Sequence, residues 1–156
     1  MNNNGVIQAV QEQELLLSSN TASLPFSTVD IRTRSANNCV GWMNHNEGNA
    51  IFSLLEGGYY EVDFNTNITS ATAGVVALGL FADGVLVPGT EMDATITTAG
   101  DFEHISFSKV IRACCKGTVN LSINSLPTVT YSGGATPVIT DTEIPIVKNA
   151  NISIER

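Results

Sequence analysis

The chain has 156 residues, 15 of them acidic and 7 basic, which gives a formal charge of −8; 14% of the residues are charged and 43% are hydrophobic. A chain of this length forms one domain. Its seven basic residues are scattered, whereas phosphate binding needs a basic patch. No segment reaches the run of about 20 apolar residues that a membrane span requires. We therefore expect neither a nucleic acid nor a membrane as a partner.

Two regions differ in pattern: an amino-terminal arm, residues 1–23, and a β-rich body, residues 24–156. The arm alternates apolar and polar side chains in a way that fits a short helix or an extended segment. It is interpreted either as a strand or turn packed on its own body, or as an arm that docks on a partner or a neighbouring subunit. It lacks a basic and apolar secretory signal, so we expect the chain to fold in a cytoplasm.

The clearest strand follows the break at Gly57 and Gly58. Tyr60, Val62 and Phe64 alternate with polar residues, and a period of two places them on one buried face. Their neighbours Glu61 and Asp63 should then lie on the wet face. Shorter candidate strands cover residues 26–31, 51–54 and 90–97.

A hairpin is predicted over residues 75–88. Two apolar runs flank Asp83-Gly84, a pair that tolerates the positive φ angles of a type I′ turn. A further strand over residues 105–113 should place Ile105, Phe107 and Ile111 on one face.

Period-two alternation also marks the carboxyl-terminal part of the chain. It predicts two strands with one buried face each, carried by Val119, Leu121 and Ile123 and by Ile152 and Ile154. The stretch between them, residues 126–148, is broken by prolines and glycines and is either a long loop or an extra hairpin. Many short strands with turns between them predict an all-β antiparallel sandwich, jelly roll or barrel.

Few residues could serve catalysis. Glu61 with Asp63, and Glu91 with Asp93, could in principle supply a carboxylate pair, but acids at this spacing are usually a solvated sheet surface. An enzyme would need a polar pocket that gathers Glu61, Asp63 and His104. No phosphate loop, nucleophile elbow or zinc-protease motif occurs, and we expect neither catalysis nor a cofactor.

Three cysteines, Cys39, Cys114 and Cys115, are expected to be reduced thiols, buried or half-buried. His45 and His104 lack metal-ligand spacing with them. We therefore predict no metal site.

Four segments carry a resemblance to a known family: residues 58–67, residues 76–90 with Val87-Pro88-Gly89-Thr90, the pair Cys114-Cys115, and residues 149–154. In order and spacing they resemble the tumour-necrosis-factor-like (complement globular-head-like) jelly roll of phage head-fibre and decoration proteins and bacterial collagen-like surface proteins. The resemblance covers residues 51–156. The chain departs from it in two respects, because no collagen-like repeat precedes the domain and residues 126–148 are longer than expected.

The resemblance implies an all-β antiparallel jelly roll, a compact homotrimer and no catalysis. It leads us to expect a structural virion protein, a trimeric capsid decoration or head-fibre protein assembled in the host cytoplasm and displayed on the capsid exterior. The major capsid protein would be its partner. The docking residues would be those of the arm: Val6, Ile7, Val10, Leu15, Leu16 and Leu17.

Aromatic scarcity and strand-edge position suggest Trp42, Tyr59 and Phe102 as contacts between the copies of the trimer. Plain packing of the sandwich end is the alternative for Trp42. The alternative function is a receptor-binding or carbohydrate-binding head of a phage tail or bacterial surface protein. In that case Trp42 and Tyr131 would contact a host-surface glycan.

Overall fold

A computed structural model describes residues 5–33, 41–114 and 117–156 of the chain. These residues contain strands and turns and no α-helix. The strands are β1 (Val6–Gln11), β2 (Leu15–Leu16), β3 (Thr28–Arg32), β4 (Met43–Asn44), β5 (Phe52–Leu54), β6 (Gly58–Ser70), β7 (Gly74–Ala82), β8 (Val85–Leu86), β9 (Met92–Ile96), β10 (Glu103–Ala113), β11 (Val119–Ser125), β12 (Thr128–Tyr131), β13 (Val138–Asp141) and β14 (Pro145–Glu155).

Two six-stranded antiparallel sheets form a sandwich. The first sheet has the order β10-β6-β14-β1-β3, with β2 paired to β14. The second has the order β4-β5-β11-β7-β8, with β9 paired to β7. Within the described ranges no helix is long and apolar enough to cross a membrane.

The core lies between the two sheets and contains the side chains that the alternation predicts. Tyr60, Val62 and Phe64 on β6 are buried, as are Ile152 and Ile154 on β14. They face the second sheet, which contributes residues such as Leu121 and Ile123, also buried as predicted. Full burial of one such aliphatic or aromatic side chain stabilises the fold by about 1.5–3 kcal/mol.

The amino-terminal segment is a strand of the sandwich. β1 pairs with β14 on one side and with β3 on the other. Ile7 and Ala9 are fully buried in the core. Of the forms that the sequence allowed for the arm, its described part, residues 5–23, therefore takes the extended one in β1 and β2, packed on its own body; residues 1–4 lie outside the described residues.

The hairpin predicted over residues 75–88 is confirmed, and of the two alternatives for residues 126–148 the structure has the extra hairpin. Asp83 and Gly84 join β7 to β8 with φ angles of 49° and 78°. Residues 126–148 include an extra hairpin, β12 and β13. Its Leu126 and Val129 pack on Ala77 and cover part of the outer face of the second sheet.

The long strand β10 confirms the predicted face, because Ile105, Phe107 and Ile111 all point towards the core or its margin. It ends at Ala113, so Cys114 follows the strand and is exposed. The expectation of a buried or half-buried thiol is wrong for Cys114, since the sheet ends before it. Cys39 and Cys115 lie outside the described residues.

Candidate interaction surface

The outward face of the first sheet carries exposed and half-buried side chains along β6, β10 and β14. Strand pairing sets side chains from β10, β6, β14 and β1 in rows across it: Asp63 pairs with Ser153, and Ser153 with Gln8. We call this the open face; it consists of Gln8, Glu61, Asp63, Asn65, Ser106, Ser108, Asn151, Ser153 and Glu155. Every member alternates along its strand with a residue of the opposite, inward face.

A shallow polar hollow of about 260 Å³ lies at the centre of the open face. Gln8, Asp63, Asn65, Asn151 and Ser153 line it. Asn149, at a φ of 51°, marks an irregularity in β14 where its register with β6 shifts, and such bulges bend a strand locally. The side chains here are short and polar, so the surface is flat apart from this depression.

Negative charge gathers at one end of the open face. Glu61 and Glu155 are directly paired across β6 and β14, and like charges in that position repel. The Ser108 hydroxyl lies 3.5 Å from Glu61 Oε1. Across the described part of the chain, no cluster of three His, Cys, Asp or Glu side chains could hold a metal ion.

Apolar side chains flank the open face at its two ends. Tyr59, 67% exposed, and Val110 lie where β6 begins and β10 ends. At the opposite end Leu16, 60% exposed, pairs with Ile146. Phe102 lies at that end too, 38% exposed, with Lys148 Nζ 5.9 Å from its ring centroid. Tyr59 and Phe102, two of the three residues predicted to join copies, therefore border the same face.

Trp42 is not on that surface. Its side chain is 2% exposed, and its ring stacks on Tyr60 with centroids 5.8 Å apart. Its Nε1 donates to the backbone oxygen of Thr33 at 2.9 Å. An indole buried in this way offers no area to a second copy or to a glycan, so Trp42 packs the end of the sandwich.

The predicted docking side chains are mostly interior. Ile7, Val10 and Leu17 are buried. Val6 and Leu15 are half-buried. Pairing of β1 with β14 turns Ile7 towards the core, beside Ile154, whereas Val6 and Val10 lie in the outward rows with Glu155 and Asn151. Leu16 alone of the six is exposed.

The carboxylates and histidine proposed as an enzyme site do not meet. Asp63 pairs with Ser108 and His104 with Asn67, so His104 is four residues away along β10, roughly 13 Å at the rise of a strand. Its Nδ1 lies 3.3 Å from Asn67 Oδ1. His104 belongs to the strand β10 and is exposed.

The second carboxylate pair is also part of the surface. Asp93 accepts a hydrogen bond of 2.7 Å from the hydroxyl of Tyr131. That bond to a carboxylate raises the pKa of Tyr131, with smaller contributions from burial and from the charges of Asp93 and Glu91. Tyr131 therefore anchors the hairpin β12–β13 to β9.

Sequence reasoning identified Glu61 and Asp63 as surface residues but missed the open face as a whole. The signal was present: Ser, Asn and Asp alternate with apolar residues in β6, β10 and β14. What the alternation alone could not supply was the order of the strands, which brings residues 8, 63 and 153 into one row.

No protein-family model matches the chain, and no curated protein sequence does. Solved structures do resemble it. Murine APRIL at pH 8.5 superposes with a TM-score of 0.59 at 7% identity, over 98% of each chain. Murine APRIL at pH 8.0 gives 0.54 at 8% identity and at pH 5.0 gives 0.55 at 7% identity, again over 98% of both chains. The fold is therefore a tumour-necrosis-factor-like jelly roll, as the sequence resemblance implied.

Proposed function

We propose that this protein is a non-catalytic structural protein that forms a homotrimer through the open face of the first sheet. The observation that carries the proposal is the asymmetry between the two sheets. The hairpin β12–β13 covers part of the outer face of the second sheet, whereas the open face has no such layer among the described residues. Five of the nine open-face residues are Ser or Asn, and Tyr59 at one end adds exposed apolar area; these short side chains allow close approach of another copy.

The size of the open face approaches that of a protein interface. Four strands at about 4.8 Å spacing, over the nine residues from Tyr59 to Asn67, give roughly 19 Å by 30 Å, or about 600 Å² in plan. A stable protein interface buries about 800 Å² on each partner. The contact between copies would therefore include the apolar side chains that flank the face, such as Tyr59.

The composition of the chain also favours a trimer displayed on the outside of a particle. Only 14% of the residues are charged, well below the roughly 25% of an average domain. Three copies would carry −24, three times −8, and a large net charge keeps particles from associating nonspecifically. Such a trimer would be soluble on an exposed particle surface.

The finer proposal is that the particle is a phage capsid. Its support is the sequence resemblance of residues 51–156 to phage head-fibre and decoration proteins. The major capsid protein would be the partner, and the trimer would be assembled in the host cytoplasm and displayed on the capsid exterior. Leu16, paired with Ile146, would make the capsid contact, since it carries exposed apolar surface in the amino-terminal segment.

The alternative of a glycan-binding head has less support. Trp42 is buried, whereas Tyr131 is 39% exposed but has its hydroxyl engaged with Asp93. We therefore propose the structural function alone.

The experiment that tests self-association introduces a bulky charge at the centre of the open face. We expect Ser153→Arg to give a folded monomer, because the new side chain would project between the copies. The matched control is Thr95→Arg, at an exposed position of β9 in the second sheet, which should remain a trimer. Light scattering gives the mass, and circular dichroism checks the fold.

A trimeric Ser153→Arg variant would contradict self-association through the open face.

The capsid proposal is tested separately, by sedimenting undecorated capsids with the wild-type trimer and with Leu16→Ser. Binding by the wild type with weaker binding by Leu16→Ser supports it. A trimer that never sediments with capsids would overturn the capsid proposal and leave self-association intact.

A further inference from the structure

Two segments that are distant from the open face's centre are joined by a dense set of hydrogen bonds. They are residues 26–33, which include β3, and residues 42–49, which include β4. The bonds run from Phe26 N to Asn49 O (3.1 Å), Gly48 N to Phe26 O (2.7 Å), Val29 N to Glu47 Oε1 (2.9 Å), Arg32 Nη2 to Met43 O (2.8 Å), Arg32 Nη1 to His45 O (3.3 Å) and Trp42 Nε1 to Thr33 O (2.9 Å). They tie the edge strand β3 of the first sheet to the edge strand β4 of the second.

His45 lies at the centre of this junction and is only 3% exposed. Its ring stacks on Phe52, with centroids 3.8 Å apart and planes 3° from parallel. Its Nδ1 is 2.9 Å from the backbone oxygen of Ile51. A carbonyl oxygen only accepts hydrogen bonds, so we assign the proton of the neutral ring to Nδ1.

A proton on the other ring nitrogen would find no hydrogen-bond acceptor among the described residues. His45 Nε2 is buried and has no hydrogen-bond partner among the described residues. A proton added there would create a buried cation without an acceptor, which is costly.

The charged groups that face the ring do not remove this cost. Arg32, from β3, is bonded to the backbone oxygen of His45 itself and opposes a second positive charge. Glu47, from the turn after β4, favours the charge, but its Oε1 already accepts from Val29 N. Phe52, from β5, is neutral. Burial is the largest influence and lowers the pKa of His45; the hydrogen bond to Ile51 comes next and opposes it, followed by Arg32, which lowers the pKa, and Glu47, which raises it, and the net shift is downward.

We propose that His45 is an acid-sensitive latch: uptake of a proton at Nε2 releases residues 26–33 and 42–49 from each other while the rest of the sandwich stays folded. β3 is suited to local release. Four of its five side chains are exposed, and its register with β1 is interrupted between Gln8 and Ala9. The central strands β6 and β14 are held on both sides and by the core.

The direction of the pH dependence follows from the lowered pKa. The unfolded or released segment binds a proton near the ordinary value of 6.5, whereas the latched form binds it only at lower pH. The latch is therefore at full strength above about pH 6.5 and weakens as the pH falls towards the latched pKa.

One consequence rests on the proposed function. Ile31 of β3 pairs with Gln8 of the open face and is itself exposed. Release of β3 would remove that edge of the trimer contact, so acid would weaken assembly.

The test is hydrogen exchange followed by mass spectrometry at pH 7.5 and pH 5.5, corrected for the intrinsic exchange rate. The chain has two histidines, and the exposed His104 is the natural control. We expect peptides over residues 26–33 and 42–51 to lose protection at least tenfold at pH 5.5, in the wild type and in His104→Gln. Peptides of β11 should keep their protection. In His45→Gln, whose amide can still donate to Ile51 O, the protection of the two segments should not change with pH.

A second measurement covers the case in which His45→Gln does not fold. NMR titration of the two imidazoles in the wild type should show His45 taking up its proton below pH 6.5, together with the loss of protection. Titration of His45 at or above 6.5, or unchanged protection at pH 5.5, would overturn the latch. Hydrogen exchange reports on individual peptides, whereas light scattering reports on the mass of the assembly. Failure of the latch and failure of the trimer proposal can therefore be told apart.

Discussion

At the scale of single residues, the fold depends on close approaches that composition does not reveal. Gly5 lies directly against the indole of Trp42: a Cβ added there would be 2.3 Å from Nε1 and 2.4 Å from Cε2. The backbone oxygen of Gly5 also accepts a bond of 2.8 Å from the nitrogen of Arg156. The side chain of Arg156 in turn forms an ion pair with Glu56. One glycine thus joins the first residues of the described chain to its last.

We expect Gly5→Ala to destabilise the protein by about 1–3 kcal/mol, the usual cost of overpacking a filled site. The reason is that the buried ring of Trp42, held between Tyr60 and its bond to Thr33, has little room to move. Urea unfolding measures the change. Gly133→Ala, where a Cβ would meet nothing within 4 Å, should stay within about 0.5 kcal/mol of the wild type; an equal loss in both variants would contradict the close approach.

At the scale of elements, the sequence predicted where strands lie better than it predicted which strands pair with each other. Period-two alternation identified β6 and β14 because much of one face lies in the core and much of the other in water. It also identified β11, although the polar face of that strand is partly covered, with Ser122 buried and Asn124 half-buried. The role of β1 could not be found in this way, since its partner residues lie near the other end of the chain, as in Ile7 with Ile154. The same is true of the open face, which exists only once those distant strands are paired.

Because β1 lies between β14 and β3, we expect removal of the first residues of the chain to disrupt the fold. Deletion of residues 1–11 should prevent folding, because it would remove Ile7 and Ala9 from the core and leave β14 and β3 without a partner between them. Circular dichroism and urea unfolding provide the measurement. Deletion of Gly133 and Gly134, in the exposed connection of β12 to β13, is the control and should leave the fold intact. A stable, folded chain without residues 1–11 would mean that the arm is dispensable and β1 is not integral.

At the scale of the whole molecule, the two outer faces of the sandwich differ in how far they are covered. The second sheet is partly covered by its own hairpin, and the first presents rows of short polar side chains with Tyr59, Val110, Leu16 and Phe102 at its ends. The short Ser and Asn side chains at the centre of that face leave room for the approach of a second copy, whereas Glu61 and Glu155 place negative charge at one end. The latch at His45 adds a means by which acid could loosen one border of that contact.

Self-association is tested most directly by the mass of the purified chain, measured by light scattering across a dilution series at pH 7.5. We expect a stable species of about 50 kDa, three times the 16.5 kDa of one chain, which persists on dilution. A species of 16.5 kDa at every concentration would contradict it, because the open face would then be an ordinary solvated sheet surface.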